Sequence, residues 1–383
     1  MRRKLLVLLE TGLILAGLLL GFSAWKVHSA LEQPLHLTGE RLLDVPTGTT
    51  PNRMFYRMQQ DGVIRDAFWL RLYWRFNMPS VALHTGEYRM TPGMNVRDLF
   101  EAWRRGDVVQ YSLTLVEGWN FRQVRSALAR HEKIRQTLDG LSDSEVMDKL
   151  GHPGVFPEGR FFPDTYRFVR GMSDVEFLQQ AYARLEEVLA KEWNERSPAA
   201  PYRDPYQALI MASLVEKETG VPQERGQIAG VFVRRLQIGM LLQTDPTVIY
   251  GMGERYNGKI TRADLREPTP YNTYVIAGLP PTPIAMVGRE AIHAALNPEP
   301  GSSLYFVARG DGSHVFSDDL GAHNSAVREY QIKRRADYRS SPAPSAGDTP
   351  NEVPAPEAPQ AAPQPAEPSV QPDVPPASEP TPQ

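Results

Sequence analysis

The sequence predicts an α+β protein in four parts: an N-terminal transmembrane helix, a small α/β module, a larger mixed α/β domain, and a C-terminal tail that does not fold. Three observations predict it. An apolar run follows a basic N-terminus. Short apolar strands then recur ahead of glycine turns and amphipathic helices. Beyond residue 339 the composition collapses into Pro, Ala, Glu, Gln and Ser, with 14 prolines, six acids and no Lys, Arg or aromatic residue after Arg339. Such a segment cannot bury enough apolar surface to fold.

A chain of 383 residues allows two or three domains, and a hydrophobic content of 41% is enough for real cores. The formal charge is −3, from 42 basic against 45 acidic residues, so there is no electrostatic case for nucleic acid. Cysteine is absent, which excludes a disulfide framework.

Residues 1–4 carry Arg2, Arg3 and Lys4, and an apolar run spans residues 5–25, broken only by Glu10, Thr11 and Ser23. About 20 residues suffice to cross a bilayer. The basic cluster favours a cytoplasmic N-terminus, and Trp25-Lys26 suits the far interface. A cleaved signal peptide, with Ser29-Ala30 near the cut, is the competing reading. Its apolar region is usually only ~7–15 residues, so the expectation is an uncleaved single-pass anchor in the inner (cytoplasmic) membrane, with the remainder periplasmic.

Residues 35–140 repeat one pattern. Leu42–Val45, Glu87–Met90 and Tyr111–Val116 read as strands, followed by Gly48-Thr49-Thr50, Gly93-Met94-Asn95 and Gly118-Trp119-Asn120. Each glycine turn leads into a Thr or Asn suited to capping a helix, then an apolar helix face (Met54, Leu99, Val124). The repeat is similar to small LysM-type glycan-binding modules; a purely structural βα unit fits it equally. The aromatic string FWLRLYWRF (68–76) has helical spacing, which suits packing in a core or lying near the membrane better than holding sugar.

Residues 141–338 form the larger domain. Phe156–Gly159 and Phe161–Tyr166 read as a packed turn region whose acids, Glu158 and Asp164, are expected to satisfy backbone groups or line a pocket. A long helix is expected from Asp174, as its cap, to Glu195. In the helix beginning near Ala208, Met211, Leu214, Val215 and Glu218 share one face at ~100° per residue, while Ser213 and Glu216 point elsewhere, Glu216 toward solvent. A carboxyl against apolar neighbours has its charged form disfavoured and can hold a proton near neutrality. That suits a general acid. On periodicity alone, Glu218 could equally end the helix in water. A second helix carries Ile228, Val231, Phe232 and Leu236 as far as Gly239. Then Pro246 argues against a regular helix, and Gln243, Thr244, Asp245 and Thr247 crowd together. Tyr271-Asn272-Thr273-Tyr274 and Gly278-Leu279-Pro280-Pro281 follow. Loops of this composition suit carbohydrate, because amides satisfy hydroxyls and aromatic rings stack on sugar faces. Leu304–Ala308 and His314–Ser317 read as a hairpin turned at Arg309–Gly312, and a last helix is expected from His323 to Arg335.

Through ASLVEKET, ERGQIAGVFVRRLQIGMLLQTDPTVIYGMG, YNTY and GLPP-x-PI, the sequence resembles the membrane-anchored endolytic murein transglycosylases (MltG, or YceG-like), from the anchor to about Tyr338. The resemblance implies a single-acid cleavage of the MurNAc–GlcNAc β-1,4 bond within nascent peptidoglycan strands. Glu218 would protonate the glycosidic oxygen and then, as base, assist the muramyl C6 hydroxyl in closing a 1,6-anhydro ring. It places Gln243, Tyr271, Asn272, Thr273 and Tyr274 along the glycan cleft, adds Asp245 and Tyr250 as substrate contacts, needs no cofactor, and implies association with a penicillin-binding synthase and a role in ending strand growth. Thr282, where the family usually has Gly, and Met286-Val287 depart from the pattern. A muramidase-type hydrolase using Glu218 and Asp245, and a non-catalytic glycan-binding scaffold, are the alternatives. Other chemistries find no support: the eight histidines form no H-x-x-H ligand spacing, Gly251-Met252-Gly253 lacks a third glycine, and Ser213 lies one residue too far from Lys217 for an S-x-x-K nucleophile.

Overall fold

The computed structural model describes residues 2–78 and 83–332. The expected tail, 339–383, and the final positions of the helix expected to reach Arg335 lie outside the described residues. α1 (Arg2–Glu32) opens the chain, and its stretch Leu6–Glu32 is long and apolar enough to cross a membrane. Next come β1 (Arg41–Val45), α2 (Pro51–Gln60), α3 (Phe68–Asn77), β2 (Gly86–Met90), α4 (Val96–Arg105) and β3 (Gln110–Thr114). They are followed by α5 (Phe121–Arg130), α6 (Asp143–Leu150), β4 (Thr165–Val169), α7 (Asp174–Asn194), α8 (Pro205–Glu218) and α9 (Arg225–Gln237). α10 (Asp245–Met252), α11 (Arg289–Leu296), β5 (Tyr305–Ala308), β6 (His314–Ser317) and α12 (Leu320–Val327) complete a mixed α and β architecture. The strands pair as β1–β2, β3–β4 and β5–β6.

One compact unit takes in the chain up to 113 together with 128–139 and 165–176. Here β1 and β2 run antiparallel, with Arg41 opposite Met90 and Val45 opposite Gly86. The capping residues work as their chemistry dictates. Thr50 accepts from the Arg53 amide at 3.3 Å, and Asn95 and Asp98 form a reciprocal capping box at 2.9 and 3.0 Å. Phe55, Trp74, Phe100 and Trp103 pack ring to ring, Phe100 lying 5.2 Å from Trp74 and 5.4 Å from Trp103. The string FWLRLYWRF therefore sends Leu70 and Trp74 into a core, which Ala30 and Leu31 at the end of α1 also join. Glu87 is buried on β2 and receives Tyr111, Lys133 at 3.2 Å and Arg170 at 2.8 Å. Burial alone would raise its carboxyl; those three donors outweigh it and hold it below the ordinary value.

Two local expectations are corrected in this unit. Thr165 and Tyr166, read as the end of a packed turn, instead open a strand, Thr165–Val169. The helix cap is Ser173 rather than Asp174: the Ser173 hydroxyl accepts from the Glu176 amide at 3.1 Å, and the Glu176 carboxylate accepts from the Ser173 amide at 2.7 Å. Asp174 is turned inward instead, taking the Thr137 and Leu138 amides at 2.8 and 2.9 Å.

The second unit comprises 114–127, 140–164 and 177 onward. α8 is its centre. Every residue from Ala208 to Val215 is buried, within a core that α9 and α11 also build. A helix apolar on all sides is a core helix, without the solvated stripe of an amphipathic one. That overturns the reading of Glu216 as a solvent-facing acid: its side chain is 5% exposed, lies 3.7 Å from Arg225, and accepts the Gly288 amide at 3.0 Å. Pro246 likewise does not prevent a helix. It stands in the first turn of α10, where its missing N–H has no intrahelical partner to lose.

Candidate active site

Glu218 is the last residue of α8 and is half-buried. A helix C-terminus presents unpaired carbonyls, which disfavour a negative charge there. Burial pushes the Glu218 carboxyl up to about 7 and nearby Asp245 pushes the same way, against the Thr244 hydroxyl, which donates to Oε1, and the more distant Arg235. At neutral pH the group therefore stands near half protonation, as a residue that must both give and take a proton requires. Because the Thr244 bond favours the ionised form, Thr244→Val is expected to raise the carboxyl by up to about one pH unit, read from the Glu218 side-chain carbon resonance in an NMR titration.

The corner beside Glu218 is held under tension. Gln243 has φ 51, the only positive φ of a described non-glycine residue, a conformation that costs about 1–3 kcal/mol and persists only where its surroundings enforce it. Thr273 enforces it. Its carbonyl takes the Gln243 amide at 3.1 Å, its hydroxyl takes the Thr244 amide at 3.0 Å, and that hydroxyl also meets Thr247 at 2.8 Å. Asn272 donates to the Asp264 and Glu267 carbonyls at 3.1 and 2.8 Å and accepts from the Tyr274 amide at 3.0 Å. Asn272 is 1% exposed and Thr273 0%. Both were expected to touch substrate; both instead pin the loop from inside. Tyr274 donates its hydroxyl to Asp245 at 2.6 Å, and burial pushes the Asp245 carboxyl up.

A groove of about 760 Å³ in the same unit has Lys217, Pro246, Tyr250, Tyr271, Asn120 and Glu158 on its walls. Of the expected substrate contacts, Tyr250 and Tyr271 are on that wall, their rings 4.8 Å apart. Lys217 and Pro246, the chain neighbours of Glu218 and Asp245, are on it too, whereas Glu218, Gln243, Asp245 and Tyr274 themselves are not among its lining residues. Glu158 both lines the groove and satisfies a backbone group: its two oxygens take the Phe121 amide at 3.0 and 3.2 Å, and Tyr250 donates to it at 3.1 Å. Burial lifts its carboxyl to about 7 against those bonds. Gly159 makes this placement possible, since at φ +73 a β-carbon would fall 2.5 Å from Pro283. Thr282, a departure noted in the sequence, meets the Tyr271 hydroxyl at 2.9 Å. Met286 and Val287 are wholly buried, and Met286 exchanges backbone bonds with Gly118 and Trp119 at 2.9 and 2.6 Å.

A carboxyl that ends a helix and titrates near neutrality is able both to give and to take a proton. A model of the YceG-like family matches residues 43–329, and the chain belongs to that family. An endolytic murein transglycosylase of Bacillus subtilis (strain 168) is 28% identical over 307 residues, covering 75% of this chain and 84% of that protein. An endolytic murein transglycosylase of Streptococcus pneumoniae serotype 2 (strain D39) is 23% identical over 322 residues. That match covers 75% of this chain but 57% of the pneumococcal protein, so the chain spans little more than half its length. A crystal structure of a YceG-like protein from Listeria monocytogenes is similar at 28% identity and a TM-score of 0.49, over 76% of this chain and 99% of that one.

Proposed function

We propose that this chain is an endolytic murein transglycosylase that cuts the MurNAc–GlcNAc bond within peptidoglycan strands. The observation that carries the proposal is Glu218, a carboxyl held near neutrality by its own burial. In the first half-reaction the protonated Glu218 gives its proton to the glycosidic oxygen as the bond to muramyl C1 breaks. In the second, the carboxylate takes the proton of the C6 hydroxyl as that oxygen bonds to C1. Acid and base are one residue, restored at the end of the cycle. The nucleophile belongs to the sugar already bound, so little entropy opposes its approach.

The products decide it. Mass spectrometry of muropeptides released by the protein is expected to show anhydro ends, one water lighter than hydrolysed reducing ends. Hydrolysed ends alone would replace this reading with a muramidase using Asp245 as base. The Tyr274 hydroxyl occupies one oxygen of Asp245, Oδ1, and the other oxygen would have to serve as that base.

In the wider proposal, α1 anchors the chain in the inner membrane with the catalytic segment, 141–338, in the periplasm. Segment 35–140 holds glycan in LysM fashion, supported by the strand, glycine turn and capped helix at Gly48 and Gly93; the third turn, at Gly118, belongs to the second unit. Cleavage ends strand elongation beside a penicillin-binding synthase.

A further inference from the structure

α3 carries an outward face that the function above does not use. At ~100° per residue, Arg71, Arg75, Phe68, Leu72, Phe76 and Trp69 follow one another around that side, while Leu70 and Trp74 are the buried residues of the helix. Phe68 is 54% exposed and Phe76 71%, large apolar areas to leave in water. Arg71 and Arg75 stand one turn apart, where like charges repel, and neither has an ion pair among the described residues. They share an open pocket of about 470 Å³ with Phe68, Leu72, Trp74, Pro51 and Asn52. Two unpaired guanidinium groups over an apolar floor fit a phosphate carried on an acyl chain.

The height of this face follows from α1. The Trp69 ring lies 6.3 Å from that of Phe22, edge to face, and Phe22 belongs to the stretch long and apolar enough to cross a membrane. Three residues on, Trp25 marks a membrane–water interface, with the Lys26 ammonium 5.3 Å from its ring. Three residues of helix are ~4.5 Å. Trp69 is therefore held within a few ångströms of the interface, and α3 with it.

We propose that α3 is an interfacial helix whose Arg71 and Arg75 hold the phosphate of an anionic phospholipid headgroup, while Phe68, Leu72 and Phe76 enter the boundary between headgroups and acyl chains. The inference rests on α1 being the span. Amphipathic helices with aromatic and basic residues on their lipid-facing side bind in this way. Docking α3 fixes the first unit against the bilayer surface instead of leaving it to swing on a single anchor.

The chain has no cysteine, so single nitroxide labels can be placed at Phe76→Cys and, as a control for the span, at Leu15→Cys. The full chain is reconstituted into vesicles of phosphatidylcholine with phosphatidylglycerol, and into phosphatidylcholine alone. Collisions of the label with oxygen and with a water-soluble nickel chelate then report depth. The expected result is that the label at 76 is oxygen-rich and shielded from the chelate in the mixed vesicles, and less so in phosphatidylcholine alone. Near an anionic surface each arginine shifts docking about fivefold, so Arg71→Gln with Arg75→Gln should move the equilibrium about 30-fold toward water. These positions are exposed, and an unchanged melting temperature shows the fold intact. A label at 76 open to the chelate in mixed vesicles overturns the proposal. So does one shielded equally in both lipids and with both arginines replaced. A label at Leu15 reporting water overturns it by way of the span itself.

Discussion

Replacing Glu218 with Gln is expected to abolish glycan cleavage while sparing the fold and most glycan binding. Positioned acid or base catalysis contributes about 10²–10⁴-fold. One residue serves both half-reactions here, so a loss in kcat of at least about 10³-fold is expected, measured as anhydro-ended product per enzyme. The amide keeps the shape of the carboxyl, and its oxygen can still accept from Thr244. Stability should move the opposite way. The folded carboxyl titrates at about 7, above its ordinary 4.5, so between those values the folded chain holds a proton that the unfolded chain has released. The stability this contributes is fully present below 4.5 and is lost as pH rises through 7. Gln removes that loss, and a gain of about 1–3 kcal/mol is expected above pH 7 once solvent screening is allowed for, read by thermal melting across pH. For the wild type, the same protonation requirement makes kcat/KM fall above about pH 7. An active Glu218→Gln with an inactive Glu216→Gln would reverse the assignment. A cell whose wall is unaffected by Glu218→Gln would favour the scaffold reading.

Local chemistry was legible in the sequence wherever a backbone need selects a residue type. Thr50 and Asn95 cap helices because their short side chains reach amides three residues on, and the hairpin at Arg309–Gly312 turns at glycines with positive φ. The family was legible in ordered strings around Glu218. The surroundings of the candidate acid were not. Periodicity divides a helix into wet and dry faces, but α8 is dry from Ala208 to Val215, so Glu216 and Glu218 could not be separated by face. Burial lifts both, and each has an acid and an arginine near it, Glu117 and Arg225 for Glu216 and Asp245 and Arg235 for Glu218; the difference is the donor, the Gly288 amide for Glu216 and the Thr244 hydroxyl for Glu218. Asn272 and Thr273 misled for a related reason: amides and hydroxyls that suit sugars also suit buried carbonyls, and only tertiary packing tells which they meet.

Glu158 gives the second large effect, because it is a buried groove carboxyl that also supports the structure. Glu158→Ala would strip the Phe121 amide, at the start of α5, of its acceptor and release the Tyr250 hydroxyl. A buried donor left without a partner costs about 1–3 kcal/mol, so a loss of about 2–5 kcal/mol is expected in denaturant unfolding. Below about pH 7, where the wild-type carboxyl keeps its proton, Glu158→Gln should lose less than about 1 kcal/mol, since its carbonyl oxygen can keep the Phe121 bond and its amide can face Tyr250. The two variants therefore separate charge from support. If Tyr250 and Tyr271 form a sugar-facing wall, Ala should raise KM more than it lowers kcat, and Gln should restore KM. Both Glu158 and Glu218 are lifted to about 7, so each masks the other in the pH dependence of the wild type. Glu158→Gln should remove one of two overlapping steps from the pH–stability curve yet leave the fall in kcat/KM above pH 7 in place. Should that fall disappear with Glu158 instead, the proton used in cleavage would reside on the groove wall and not at the end of α8.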